Sequence, residues 1–450
     1  MKKTVNSTII RFNNTLIRSF FCLMFLFSAL GLNAQNTDTV SFEVLFSEAL
    51  ENNYGLLISK NTVEILKLNN TYGNAGFLPT MGIGVISNNS VLDGKTVNSD
   101  NTETVFDGRK TNSIDAYVLM NWTLFDGTKM FVTKDRLNEM EKMGTLGLQL
   151  EIESVYVQLA SFYYALMQEQ KLAQVLQYTM GISKFRFELA DKKYRLGAAS
   201  EIDRIQASID LSNDSSLFIK QETRIANLKA DINHWLGRSP EIQFAVPMEM
   251  NRFPELNYSD LERQMENENR NLLLAKNRVQ IKKLELDQTT SNFLPTLDLF
   301  ADYDYYHSRY STGQIDWTQN VGPTAGLKLS YSLFNGFNDS RKRQIAKVEY
   351  QTAQLEEESE WNSIKLQWYQ TYNNYISALK QIKLETENMG NARKNLHFAI
   401  ELYQRGAINE IDFREIQRKE FDAESRLLYA QYYAKIAEIQ LLQLSGSLKF

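Results

Sequence analysis

The chain has 450 residues, 49 of them basic and 54 acidic, with three histidines and one cysteine. So sparse a supply of ligands leaves no metal-ligand spacing, and neither a phosphate-cradling glycine loop nor a nucleophile elbow is written anywhere, so no catalytic centre, metal or cofactor is expected. A net charge of −5 speaks against nucleic acid, whose phosphates demand a concentrated basic surface.

Residues 1–34 differ from everything after them. Lys2, Lys3, Arg11 and Arg18 stand without an acid, an apolar run follows from Phe20 to Leu32, and a small residue stands at Ala34. This is the pattern of a secretory signal peptide cleaved after Ala34, with an apolar core too short to span a bilayer. Cys22 lies inside it and lacks the small residues that lipid attachment needs. The mature chain, starting near Gln35, is therefore expected to carry no thiol, no disulfide and no acyl anchor. Losing four basic residues takes its charge to about −9. No later stretch of roughly 20 apolar residues exists, so any membrane crossing must be made by a β-barrel.

The remainder is written twice. Gly76-Phe77-Leu78-Pro79-Thr80 recurs as Asn292-Phe293-Leu294-Pro295-Thr296, and Trp122-Thr123-Leu124-Phe125-Asp126-Gly127 recurs as Tyr331-Ser332-Leu333-Phe334-Asn335-Gly336. Tyr194-Arg195-Leu196-Gly197-Ala198-Ala199-Ser200-Glu201-Ile202-Asp203 recurs as Tyr403-Gln404-Arg405-Gly406-Ala407-Ile408-Asn409-Glu410-Ile411-Asp412. Each copy ends on a matching glycine, Gly237 and Gly446. The offset falls from 216 to 209 between the first two markers, which places a loop seven residues longer in the first copy. The first repeat is read as 35–237 and the second as 259–450, joined by a linker over 238–258 where Pro240, Pro247 and Pro254 gather.

Within each repeat the order is helix, two strands, very long helix, tip and returning helix. The opening helices are expected from about Ser41 to Tyr72 and Ser259 to Thr290, the second started by a Ser259–Glu262 capping box. Strand hairpins follow over about 80–126 and 296–335, where apolar residues alternate with small or polar ones. Ile114, Ala116, Val118, Met120, Trp122 and Leu124 form one such stripe, and Val321, Pro323, Ala325, Leu327, Leu329, Tyr331 and Leu333 another. Four strands of about ten residues with aromatic residues at their ends suit a lipid-facing wall around a water-filled lumen. The segments 87–112 and 307–320, rich in Ser, Asn, Thr, Asp and Gly, read as exposed turns.

The helical hairpins are expected over about 128–236 and 338–445. Leu159, Leu166, Ala173, Met180, Phe187 and Tyr194 stand at sevens, and Trp368, Tyr375, Ile382, Met389, Leu396 and Tyr403 keep that register in the second copy. A strict heptad predicts left-handed supercoiled packing, on rods of roughly 100 Å. Gly197 and Gly406 break the rods as left-handed caps, and Ser200 and Asn409 start the returning helices with Asp203 and Asp412 at the third helical position. The fold class is thus an α+β membrane protein with an internal duplication. Four strands cannot close a barrel in lipid, so copies must share one: two would supply eight strands and three would supply twelve.

On these repeated halves, strand pairs, coiled-coil hairpins and tip motifs, the chain resembles the outer-membrane factor (TolC-like) family of efflux and type I secretion exit ducts. The resemblance implies a homotrimer with a twelve-stranded barrel in the outer membrane and a helical α-barrel in the periplasm. It further implies docking on a periplasmic membrane-fusion adaptor that works with an inner-membrane pump of RND, ABC or MFS type. By position, Asp412 and Glu415 correspond to the acids that ring the family's periplasmic gate, with Asp203 as the first-copy counterpart. Three chains would gather these carboxylates around one axis and favour cations there. Gly197 and Gly406, with Arg195 and Arg405 beside them, resemble the adaptor-docking tips; the two arginines read either as ordinary surface charge or as hydrogen-bonding across hairpins to hold a closed state. The other reading is a coiled-coil envelope protein without a pore.

Overall fold

A computed structural model of the chain describes residues 39–448, except 251, 252 and 314. The expected signal segment 1–34 lies outside the described residues. The helices are α1 (Phe42–Asn52), α2 (Tyr54–Asn69), α3 (Tyr72–Ala75), α4 (Lys129–Arg195), α5 (Glu201–Trp235), α6 (Tyr258–Glu268), α7 (Arg270–Thr290), α8 (Asn338–Gln404) and α9 (Glu410–Leu444). The strands are β1 (Thr80–Val97), β2 (Glu103–Phe125), β3 (Thr296–Tyr310) and β4 (Trp317–Ser330). The duplication is kept to the residue in the hairpins: α4 and α8 each have 67 residues, and α5 and α9 each have 35. At 1.5 Å per residue the longer helices are rods of about 100 Å.

The opening helices depart from the expectation of one continuous helix per copy. Asn53 interrupts the first and Asn269 the second, and the same side chain does the same work in both. Asn53 Oδ1 accepts from Leu56 N at 3.2 Å while its amide donates to Trp235 O at 2.9 Å. Asn269 Oδ1 accepts from Leu272 N at 3.0 Å while its amide donates to Leu444 O at 2.8 Å. Each asparagine caps one helix and clasps the end of the returning helix, which the heptad pattern cannot reveal. The α6 cap is Asn257, accepting from Ser259 N at 3.1 Å, rather than the expected Ser259.

The returning helices end at those clasps. Gly237 at φ 67° and Gly446 at φ 70° turn the chain in the left-handed region. A Cβ on Gly237 would stand 2.7 Å from Asn52 O, and one on Gly446 2.5 Å from Glu268 O. Only glycine fits there, because both the backbone angle and the space exclude a side chain. The linker is not a bare tether: Thr39 bridges to Ala245 in parallel, and Phe244 and Val246 enter the core of Phe42, Leu45, Leu159, Tyr163 and Leu166.

The four strands form one antiparallel sheet in the order β1-β2-β3-β4, with β1 and β4 at open edges. Segments 87–112 and 307–320, expected as turns, are largely strand; only 98–102 and 311–316 connect. The seven extra residues of the first copy therefore lengthen a β-ribbon, not a loop. At the other end of the second hairpin the strand is shorter than expected. β4 ends at Ser330, so Tyr331 and Leu333, the last residues of its apolar stripe, lie beyond it.

The seam of α4 also shifts. Val155, Leu159 and Leu166 are buried on the expected heptad, but nearer the tip Thr179, Ser183, Arg186 and Ala190 are buried while Phe187 is half-buried and Tyr194 exposed. In α8, Trp368, Tyr375, Leu396 and Tyr403 are buried as the heptad predicts.

Candidate functional site

Both hairpins turn in the same way. The last turn of α4 closes with Ala198 N donating to Lys193 O at 2.8 Å, and that of α8 with Ala407 N donating to Leu402 O at 2.8 Å. Gly197 and Gly406 both sit at φ 72°, with open space where a Cβ would be. Ser200 then forms a full capping box with Asp203, while Asn409 Oδ1 accepts from Asp412 N at 2.8 Å.

The acids singled out from the sequence have unlike surroundings. Asp203 turns its carboxylate back to Ser200, accepting from Oγ at 2.8 Å and from N at 3.2 Å. Asp412 and Glu415 are exposed, one turn apart on α9. Glu415 lies 3.1 Å from Lys419 and 3.7 Å from Arg418. The Lys419 ammonium, followed by Arg418, holds the Glu415 carboxyl below its ordinary range. Glu415 lines an open groove between the starts of α5 and α9 together with Asp203, Gln206 and Arg414. Arg195 does not reach across hairpins; it pairs with Asp191 one turn back on α4 at 2.9 Å. Arg405 is the exposed C-cap residue of α8.

The residues that do join the two hairpins were not singled out from the sequence. Arg186 on α4 is fully buried, reaching Asp210 on α5 at 3.2 Å and donating from Nε to Glu410 on α9 at 3.1 Å. Its guanidinium also lies 5.3 Å from the Phe413 ring centre. Arg414 on α9 grips Asp214 on α5 with two bonds, at 2.7 and 2.8 Å. Ser183 donates to the same carboxylate at 2.6 Å, and Gln417 donates to Thr179 O at 3.0 Å. Tyr403 at the end of α8 donates to Glu410. Two arginines against three acids make a desolvated cluster that touches all four rods.

Such a cluster adds little net stability over an apolar seam, but removing one member strands the others. In this arrangement the cluster joins the two hairpins through groups from all four rods. A signal was present in the repeat: shifting by the 209 residues that relate Gly197 to Gly406 makes Asn395 the counterpart of Arg186, Lys419 that of Asp210 and Ala423 that of Asp214. The cluster lies where the two copies differ in charge.

Of the other acids buried along the rods, Glu153 and Glu420 are shifted most clearly. Burial, opposed by Arg270 at 3.5 Å, pushes Glu153 up to about 7. Burial, reinforced by Glu424 and opposed by Arg393, does the same to Glu420. Among the described residues no group of His, Cys, Asp and Glu is placed to hold a metal ion, and no helix is long and apolar enough to cross a membrane.

Sheet, rods and tips together define a duplicated fold of long helical hairpins on a four-stranded antiparallel sheet. Solved structures share it at low identity. A membrane protein from Pseudomonas aeruginosa superposes with a TM-score of 0.75 at 14% identity, covering 90% of each chain. The outer membrane protein VceC of Vibrio cholerae gives 0.74 at 15% identity, covering 90% of this chain and 96% of that one. The CmeC outer membrane channel of Campylobacter jejuni gives 0.75 at 13%, covering 93% and 91%. In sequence, residues 261–447 match the outer membrane efflux protein family. The chain is 21% identical to outer membrane protein TolC of Salmonella enteritidis over 389 residues, 82% of this chain and 74% of that protein. The chain thus resembles TolC-like outer-membrane efflux proteins, in fold over nearly its whole length and in the family's sequence pattern over residues 261–447.

Proposed function

We propose that this chain is one third of an outer-membrane exit duct, a passive conduit that serves an efflux pump or a type I secretion system. The observation that carries this reading is the four-stranded sheet with two open edges, joined to rods of about 100 Å. Lipid tolerates no open strand edge, so β1 of one copy must pair with β4 of the next until the wall closes. Met81, Ile83 and Val85 on β1 share a face with Val118 and Met120 on β2, which suits lipid. The opposite face carries Asp115, Asp298, Asp302 and Asp304, which suits water in a lumen. Three copies give twelve strands, and their rods continue the wall into the periplasm as a tunnel.

The tips are the gate. Asp412 and Glu415 of three chains ring the narrow end, and the Arg186–Arg414 cluster holds the α8–α9 hairpin against α4–α5 so that the ring stays small. Gly197 and Gly406, with Arg195 and Arg405 beside them, form the face that meets a periplasmic adaptor, itself paired with an inner-membrane pump. No chemical turnover is needed, because the pump supplies the work.

Fractionation and conductance test this. The protein is expected in outer membranes as an SDS-resistant trimer that forms pores in planar bilayers. Replacing Asp412 and Glu415 together by Ala should raise single-channel conductance about two-fold or more. A trimer whose conductance ignores both changes would remove these acids from the gate. A protein that washes off the membrane without forming pores would instead be a coiled-coil spacer.

A further inference from the structure

The two strand pairs differ in reach. β3 and β4 stop at a turn held level with Lys110, where Ser311 N donates to Lys110 O at 2.9 Å and Lys110 N donates to Ser311 Oγ at 2.9 Å. β1 and β2 continue as a two-stranded ribbon to a turn at Asn98–Thr102, closed by Asn98 Nδ2 donating to Thr102 Oγ1 at 2.9 Å. From the level of Lys110 to that turn the ribbon spans about 25 Å. It leaves the sheet at the end away from the rods, which in the proposed duct is the cell exterior.

A bulge marks the ribbon's root. The register passes from Leu92↔Arg109 to Gly94↔Phe106, so Asp107 and Gly108 together oppose Asp93. Gly108 sits at φ 61° and donates to Asp93 Oδ1 at 2.6 Å. One extra residue bends a strand and sharpens its twist. Beneath the bend, Arg109 lies between the rings of Phe106 at 4.9 Å and Tyr310 at 4.2 Å, tying the root to β3.

The distribution of charge between the faces changes across the bulge. In the body of the sheet, the face that includes Asp115, Asp302 and Asp304 holds the charge and the opposite face is largely apolar. Above the bulge, Lys95 and Glu103 pair at 2.9 Å on the outward face, which also carries Asp93, Val97 and Val105. The inward face, continuous with the lumen wall, offers Leu92, Gly94, Thr96, Thr104 and Phe106, and its one charge is the stacked Arg109. An isolated two-stranded ribbon is marginal in water, and an inner face whose one charge is stacked between two rings is best satisfied by another like it. A twelve-stranded barrel has a lumen radius of roughly 12 Å, about half the length of the ribbon.

Resting on the trimeric duct, we infer that the ribbons of the three copies bend at the Asp93–Gly108 bulge and meet inner face to inner face over the outer mouth. They form a lid at the end opposite the helical gate. The only cysteine is Cys22, in the expected signal segment, so introduced thiols report alone. Ser99→Cys at the ribbon turn is expected to link chains covalently when whole cells are treated with a short bismaleimide, while Thr312→Cys at the β3–β4 turn leaves them unlinked. Replacing residues 94–107 by a two-residue Asn-Gly turn should raise single-channel conductance about two-fold. SDS-resistant trimers in which Ser99→Cys stays unlinked and the shortened ribbon leaves conductance unchanged would overturn the lid and leave the duct intact. Absence of trimers in the unmodified protein would overturn the duct itself.

Discussion

The two helical hairpins have rods of identical length, and their ends are finished by different rules. Where the returning helices stop, midway along the long rods, the copies are symmetric. Asn53 with Gly237, and Asn269 with Gly446, build the same clasp from the same atoms. At the tips the backbone turns are again alike, but the side chains that join the hairpins belong to no symmetric set. A joint that only has to hold can be duplicated unchanged. A joint between one copy and the other is made by residues that differ between them, and there the arginines and acids are distributed unequally.

Breaking the symmetric clasp should have the largest effect. Gly237→Val and Gly446→Val each force a side chain into the left-handed region and against a carbonyl oxygen, and each should cost more than about 3 kcal/mol. The readout is loss of SDS-resistant oligomer. Gly197→Ala, at the same backbone angle with open space around it, should cost only about 1 kcal/mol. Equal losses at Gly197 and Gly446 would show that the angle, and not the crowding, dominates.

The asymmetric joint is tested next. Arg186→Ala leaves Asp210, Asp214 and Glu410 facing one arginine in a buried setting, and should destabilise the tip by about 3–5 kcal/mol. Conductance should rise as the hairpins part. Asn395→Ala, at the exposed equivalent position, should stay within about 0.5 kcal/mol. Matching effects at the two positions would dissolve the distinction.

The smallest effect is in pH. Glu153 and Glu420 are carboxyls raised in the folded protein from 4.5 to about 7. The unfolded chain gives up these protons first as pH rises, so their contribution is full below the ordinary carboxyl range and is lost toward neutrality. The thermal midpoint of the purified protein should therefore fall between about pH 5 and pH 7, by an amount worth roughly 1–2 kcal/mol per group. Glu153→Gln with Glu420→Gln should flatten that slope; an unchanged slope would assign it to other groups.

Much of the fold was legible. Heptads, tip glycines, N-caps and strand alternation are local patterns, repeated in both copies, and each carries its own physical cause. The less legible parts share one trait. Asn53 looks like any polar helix residue until Trp235 O comes within reach of it, and Arg186 looks like surface charge until Asp210 and Glu410 close around it. The ribbon of β1 and β2 has the composition of a loop, because its inner face carries a single charge at the root and is not strongly apolar. Of the candidate site, the tip turns and their caps could be read in advance, whereas the pairing of Arg195 within its own helix could not.

By its own patterning the sequence determined the duplication, the length of the rods, where they turn and which face of each strand is apolar, since these depend on residues close along the chain. Which arginine is buried, how far the first ribbon outreaches the second and where the two hairpins are tied were decided only in the tertiary structure. Those outcomes depend on groups hundreds of residues apart, and a charge has no fixed role until its counter-charge and the surrounding dielectric are in place.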